Sequence, residues 1–91
     1  MLILPIKRHW FNMLLSGEKK EEYREIKPYY ISRLAKYVNK SPFWAKFVNG
    51  YSHTSPSFNA LVQVKYGIGK TEWGAEPNTE YFVLSIITIE E

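Results

Sequence analysis

The order of hydrophobic patterns predicts an α+β fold, in which a small mixed sheet of about five strands curls into a barrel beside two helices. Three observations carry this. Apolar residues recur at helical spacing in two stretches, both before Lys40. Alternating or β-branched runs occupy the first residues and most of the second half. Ninety-one residues hold one hydrophobic core, so residues 1–91 form a single domain.

Leu2 to Ile6 is a short apolar run interrupted by Pro5, which makes it a buried or edge strand. Ile6, Trp10, Met13 and Leu14 then share one face of a helix over Lys7 to Ser16. Gly17 closes that helix, because glycine enters the left-handed region without a Cβ penalty. Glu18 to Ile26 is the second strand. Lys27-Pro28 breaks it, since the residue before proline is pushed to extended geometry and proline can open a helix. The second helix runs from Tyr29 to Asn39. Tyr30 or Ile31, Leu34 and Val38 point inward; Arg33, Lys36 and Lys40 point outward. Asn39 to Pro42 ends it.

Phe43 to Val48 alternates as a strand, and Asn49-Gly50 offers a turn. Tyr51 to Ser57 is a hydroxyl-rich loop. Phe58 to Tyr66 is a strand with Ala60, Val62 and Val64 on one face and Leu61, Gln63 and Lys65 on the other. Gly67 to Lys70 reads as a hairpin turn. Thr71 to Glu80 is a loop, and Tyr81 to Ile89 is the last strand. Trp10 belongs to the core by periodicity. Trp44 and Trp73 are assigned to the core, with a cleft lining as the alternative.

Composition excludes several classes. There is no cysteine, so disulfides and thiolate metal sites are ruled out. His9 and His53 show no metal-ligand spacing, and no metal or cofactor is expected. The net charge of +3 permits contact with phosphate. The positive excess sits in the first two thirds, while Glu72, Glu76, Glu80, Glu90 and Glu91 lie toward the C-terminus. The N-terminal apolar run reaches charge at Lys7, too soon for a signal peptide, and no stretch approaches a membrane span. A cytoplasmic protein is the expectation. Gly67-x-Gly69-Lys70 lacks the rest of the phosphate-loop spacing. Ser55, Ser57 and His53 lie too close together on one loop to form a triad.

The chain is organised around Ser16 to Glu25, with seven charged residues in ten. Along an extended strand, Glu22 and Arg24 share one face. Lys19, Glu21 and Tyr23 share the other, unless a bulge beside Gly17 turns Lys19 round. On spacing alone this segment reads as a solvated edge strand. Yet a carboxylate beside a guanidinium, with an ammonium nearby, presents both acceptors and donors to a polar planar ligand.

Gly17, Lys19, Glu22 and Arg24 fit the pattern G-x-K-x-x-E-x-R, preceded by a strand and a helix. This arrangement resembles the ASCH domain family, whose fold is similar to that of PUA RNA-binding domains. The I-L-P-I-K run ending at Lys7 resembles that family's first strand and its exit. The likeness covers Met1 to Arg24 and continues beyond it mainly as strand spacing. It implies a PUA-like β-barrel and RNA binding. Lys7, Gly17, Lys19, Glu22, Arg24, Asn49 and Tyr51 are then the candidate ligand-binding residues. The expected partner is RNA or a nucleoside-containing small molecule. Lys7, Lys19 and Arg24 would meet phosphates or base edges, and Tyr51 or a tryptophan would stack a base. The acidic residues in the motif suit one nucleoside better than a long polyanion.

Two other readings stay open. Some compact ASCH-like proteins are similar to amidohydrolases that remove acyl groups from N4 of cytidine. That resemblance implies Lys19 as a catalytic residue; Glu22, as a general base on water, and Glu76, in the place of the partner acid, complete the candidate catalytic set. Those enzymes carry a nucleophilic threonine where this chain has Glu22. The remaining alternative is a protein-interaction domain whose aromatics form an interface patch.

Overall fold

A computed structural model describes residues 1–90. The elements follow in the order β1 (Leu2–Pro5), α1 (Arg8–Ser16), β2 (Glu21–Glu25), α2 (Pro28–Leu34), β3 (Phe43–Val48), β4 (Ser57–Ile68) and β5 (Glu80–Glu90). Two single turns of 3-10 helix, Ala35–Tyr37 and Thr71–Trp73, complete the set. The strands form one sheet in the order β1-β3-β4-β5-β2. β1 runs parallel to β3, and every other neighbour is antiparallel. The fold is α+β, with two helices and a five-stranded curled sheet.

The curl stops short of a closed barrel. β1 and β2 are its two edges, and no backbone ladder joins them among the described residues. Arg24 spans the gap instead: its Nη2 donates to the Pro5 carbonyl at 2.9 Å. The expected barrel is therefore a half-barrel with a side-chain bridge across its seam.

The inner face of the sheet carries the core. Ala45 and Phe47 of β3, Phe58, Ala60, Val62 and Val64 of β4, and Phe82 and Leu84 of β5 are buried there. Their spacing of two is what places them together. Phe11 and Leu14 of α1 and Leu34 of α2 close this core. A second, smaller cluster lies on the other side of β5, where Tyr81 and Val83 pack with Ala75 and Tyr23. This is why four successive residues of β5, Tyr81 to Leu84, are all buried.

Several expectations are corrected. α2 ends at Leu34 rather than Asn39. Val38 bridges Val64, and Asn39 N donates to the Val64 carbonyl at 2.9 Å. Pairing with β4 thus outcompetes one more helical turn. Gly67 and Ile68 lie within β4, paired with Tyr81 and Glu80, so no tight hairpin follows Tyr66. The connection to β5 is the loop Gly69 to Thr79. Trp44 is 40% exposed, because the alternation that turns Ala45 inward turns it outward. Trp10 packs against the core while half-buried, whereas Trp73 is half-buried and joins neither cluster. No helix among the described residues is long and apolar enough to cross a membrane.

Candidate functional site

The site begins where α1 ends. Gly17 sits at φ +84°, in the left-handed region, and its N–H bonds the Leu14 carbonyl. Lys19 N then reaches back to the Met13 carbonyl at 2.9 Å. This reversal keeps Lys19 out of the strand, which starts at Glu21. The alternation of β2 therefore never applies to Lys19, and its side chain joins Glu22 and Arg24.

The three form a buried chain of charges. Lys19 Nζ lies 3.2 Å from Glu22 Oε1, and Arg24 Nη2 lies 2.8 Å from Glu22 Oε2. Lys19 is only 1% exposed. Its ammonium also donates to the Trp73 carbonyl and stands over the rings of Trp10, at 4.6 Å, and Tyr23, at 5.0 Å. Burial pushes the Lys19 pKa below the ordinary amine value; Glu22 opposes this, and Arg24 adds to it. Arg24 Nη1 donates to Tyr30 Oη at 3.1 Å, and Arg24 Nε is buried with no acceptor among the described residues.

The loop Gly69 to Thr79 covers this chain from one side. Gly74, at φ +100°, brings its backbone against Trp10, where a Cβ would stand 3.0 Å from the ring. That approach delivers the Trp73 carbonyl to Lys19. Tyr23 Oη accepts from Lys70 N at 3.0 Å and donates to Glu21 Oε1 at 2.8 Å. Burial pushes its phenol pKa well up. Tyr81 Oη accepts from Glu76 N at 2.9 Å.

A cleft of about 400 Å³ opens beside the seam. Lys7, Glu22, Arg24 and Glu76 line it with polar groups; Trp10, Tyr30 and Tyr81 line it with rings. Its volume falls within the range of small-ligand sites, about 300–1,000 Å³. A neighbouring depression of about 360 Å³ holds Asn49, Gly50 and Tyr51. The two share Pro5, Ile6 and Lys7, so Lys7 stands on the ridge between them.

Of the residues singled out from sequence, Lys7, Glu22, Arg24 and Glu76 meet at the cleft. Lys19 lies directly behind Glu22, without open surface of its own. Gly17 shapes the turn and does not line the cleft. Asn49 and Tyr51 belong to the neighbouring depression, where Tyr51 is 94% exposed. Sequence reasoning missed Lys27, Tyr30, Tyr81 and the Pro5 carbonyl as parts of this site. Lys27 and Tyr30 follow the motif strand closely, which is the one local signal that pointed to them. Tyr81 and Pro5 arrive only through the sheet.

Chemically, the arrangement is a set of fixed donors and acceptors rather than an exposed nucleophile. Both oxygens of Glu22 already face cations. Among the described residues no group of three or more metal-ligating side chains converges. The chain matches no protein-family model, no curated protein and no solved structure.

Proposed function

We propose that this chain is an ASCH-type, PUA-like module that holds one nucleoside, free or within RNA, in the cleft at the sheet seam. The observation that carries this reading is the composition of one cleft. Lys7, Arg24 and Glu22 supply donors and acceptors beside the rings of Trp10 and Tyr30. Rings and charged edges together suit an unpaired base, which is read by stacking and by contacts to its polar edge. Each stacked base contributes roughly 1–3 kcal/mol. The cleft carries Glu22, Glu25 and Glu76 beside its cations, which favours a neutral base over a bare phosphate cluster.

One observation favours a hydrolase: an amine with a lowered pKa, Lys19, in contact with Glu22. Against it, Lys19 is covered, and the Glu22 carboxylate is held on both sides where the related enzymes carry a threonine.

The test is an NMR titration of labelled protein with cytidine, N4-acetylcytidine and a short single-stranded RNA, with the nucleosides followed for turnover. Shifts at Lys7, Glu22, Arg24 and Trp10 without turnover are expected. Loss of the acetyl group, abolished in Lys19→Met, would replace the binding reading with the hydrolase. No shift at any of these residues would refute a nucleoside site and leave a protein partner as the better account.

A further inference from the structure

The charge of this chain is strongly segregated. Residues 26–71 contain seven Lys and Arg and no Asp or Glu, while the remainder carries −4 within a total of +3. An ordinary solvated face mixes both signs. Four of those cations, Lys27, Arg33, Lys36 and Lys40, lie along α2 and the turn that follows it. Among the described residues, Arg33, Lys36 and Lys40 have no carboxylate within 4.0 Å, and Lys27 has only Glu25, at 4.0 Å and exposed.

Three of the four cations are set against aromatic rings. Arg33 lies flat on Tyr29, its guanidinium carbon 3.6 Å from the ring centroid, with Nη1 donating to the Tyr29 carbonyl at 2.9 Å. Lys36 stands 5.5 Å from the centroid of Tyr37, and Lys27 stands 5.6 Å from that of Tyr30. Tyr29 and Tyr30 meet edge to face at 5.0 Å. Tyr30 lines the cleft, Tyr29 packs on it and is 54% exposed, and Arg33 lies on Tyr29, so rings and cations are continuous from the cleft to Arg33; Lys36 and Lys40 follow it in the chain.

We propose that the row Lys27, Arg33, Lys36 and Lys40 is a phosphate rail for single-stranded RNA running outward from the cleft. It rests on the nucleoside reading of the cleft only for the choice of a single strand. Cations set against aromatic rings track a backbone and leave the bases free. An anionic membrane surface is the other chemistry such a row attracts. The continuity with a ring-lined cleft favours RNA.

The experiment measures anisotropy of a labelled single-stranded RNA of roughly twelve nucleotides, within the span of small single-strand binders. Four neutralised phosphates give a salt slope near −2.8, so affinity falls about 50-fold between about 50 and 200 mM salt. The triple variant Arg33→Gln, Lys36→Gln, Lys40→Gln changes only side chains on the surface. It leaves about one phosphate contact, so the same salt step is expected to cost only ~3-fold. The variant is also expected to keep the cleft shifts produced by cytidine. An unchanged slope and affinity in the variant would overturn the rail while the cleft reading stands. RNA binding lost in the variant, with no cytidine shifts even in the wild type, would support the rail and refute the cleft. Flotation with phosphatidylserine vesicles but no RNA binding would overturn the rail in favour of a membrane surface.

Discussion

Glu22→Gln preserves the shape of the side chain and removes its charge. Both carboxylate oxygens face cations, at 3.2 Å and 2.8 Å, and all three side chains are more than nine-tenths buried. Without the carboxylate, two positive charges remain together where water is largely excluded. Breaking a buried pair by removing one partner costs about 3–5 kcal/mol. Glutamine keeps one acceptor oxygen, so the low end applies, about 3 kcal/mol. In a domain of this size that lowers Tm by roughly 12–24 °C.

The deficit has a pH dependence of known sign. Lys19 titrates below its ordinary value of 10.5 because of burial, and Glu22 is the main group opposing that shift. With Gln at position 22 the larger part of that opposition is lost, only the smaller effect of Glu21 remaining, and Lys19 releases its proton at lower pH. Between the folded pKa and 10.5 the unfolded chain binds more protons than the folded one, so stability rises with pH across that window. The window opens earlier in the variant. Its Tm deficit should therefore be largest near neutral pH and shrink toward about pH 10. Thermal unfolding followed by circular dichroism from about pH 6 to about pH 10 reads both quantities. A variant melting within ~4 °C of wild type at neutral pH, or a deficit that grows with pH, would refute mutual compensation of the three charges.

Further outcomes follow from local geometry. Gly17→Ala adds a Cβ into open space at φ +84°, so its cost is the left-handed backbone alone, about 1–2 kcal/mol, visible as a lower Tm. An unchanged Tm would show that the turn does not need that conformation. Gly69→Ala places a Cβ 2.6 Å from Ala75 and 2.8 Å from the Tyr23 ring, so overpacking should cost about 1–3 kcal/mol, read by denaturant unfolding. A midpoint equal to wild type would mean that the loop shifts freely. Tyr23→Phe removes the acceptor for Lys70 N and the donor to Glu21. Exchange of the Lys70 amide should accelerate, with stability lower by about 1–3 kcal/mol; unaltered exchange would remove the phenol as an anchor of the loop.

Periodicity carried most of the architecture. The strand at Phe43–Val48 was legible to the residue, and the inward face Ala60, Val62 and Val64 followed from a spacing of two. The pairing of Glu22 with Arg24 was legible for the same reason: residues two apart on a strand face the same way. Gly17 marked the end of α1 because only a residue without a Cβ takes φ +84° cheaply. Local signals failed where distant backbone competed with them. Val38 left the helix to pair with Val64, and Gly67 and Ile68 extended β4 because β5 offered partners.

The charged chain at the seam was half legible. Its residue types stand in the motif, but whether Lys19 joins Glu22 depends on the hydrogen bond from Lys19 N to Met13 and on the Trp73 carbonyl, fifty-four residues away. The open seam is likewise a tertiary outcome. Strand patterns specify which residues face the core, not whether the two edges meet. Here the gap is spanned by Arg24, whose reach to the Pro5 carbonyl and the Tyr30 hydroxyl takes the place of a ladder. Residue spacing determined what could face inward. Long-range hydrogen bonding and burial decided which charges would be buried together, because their cost is acceptable only where every partner arrives at once.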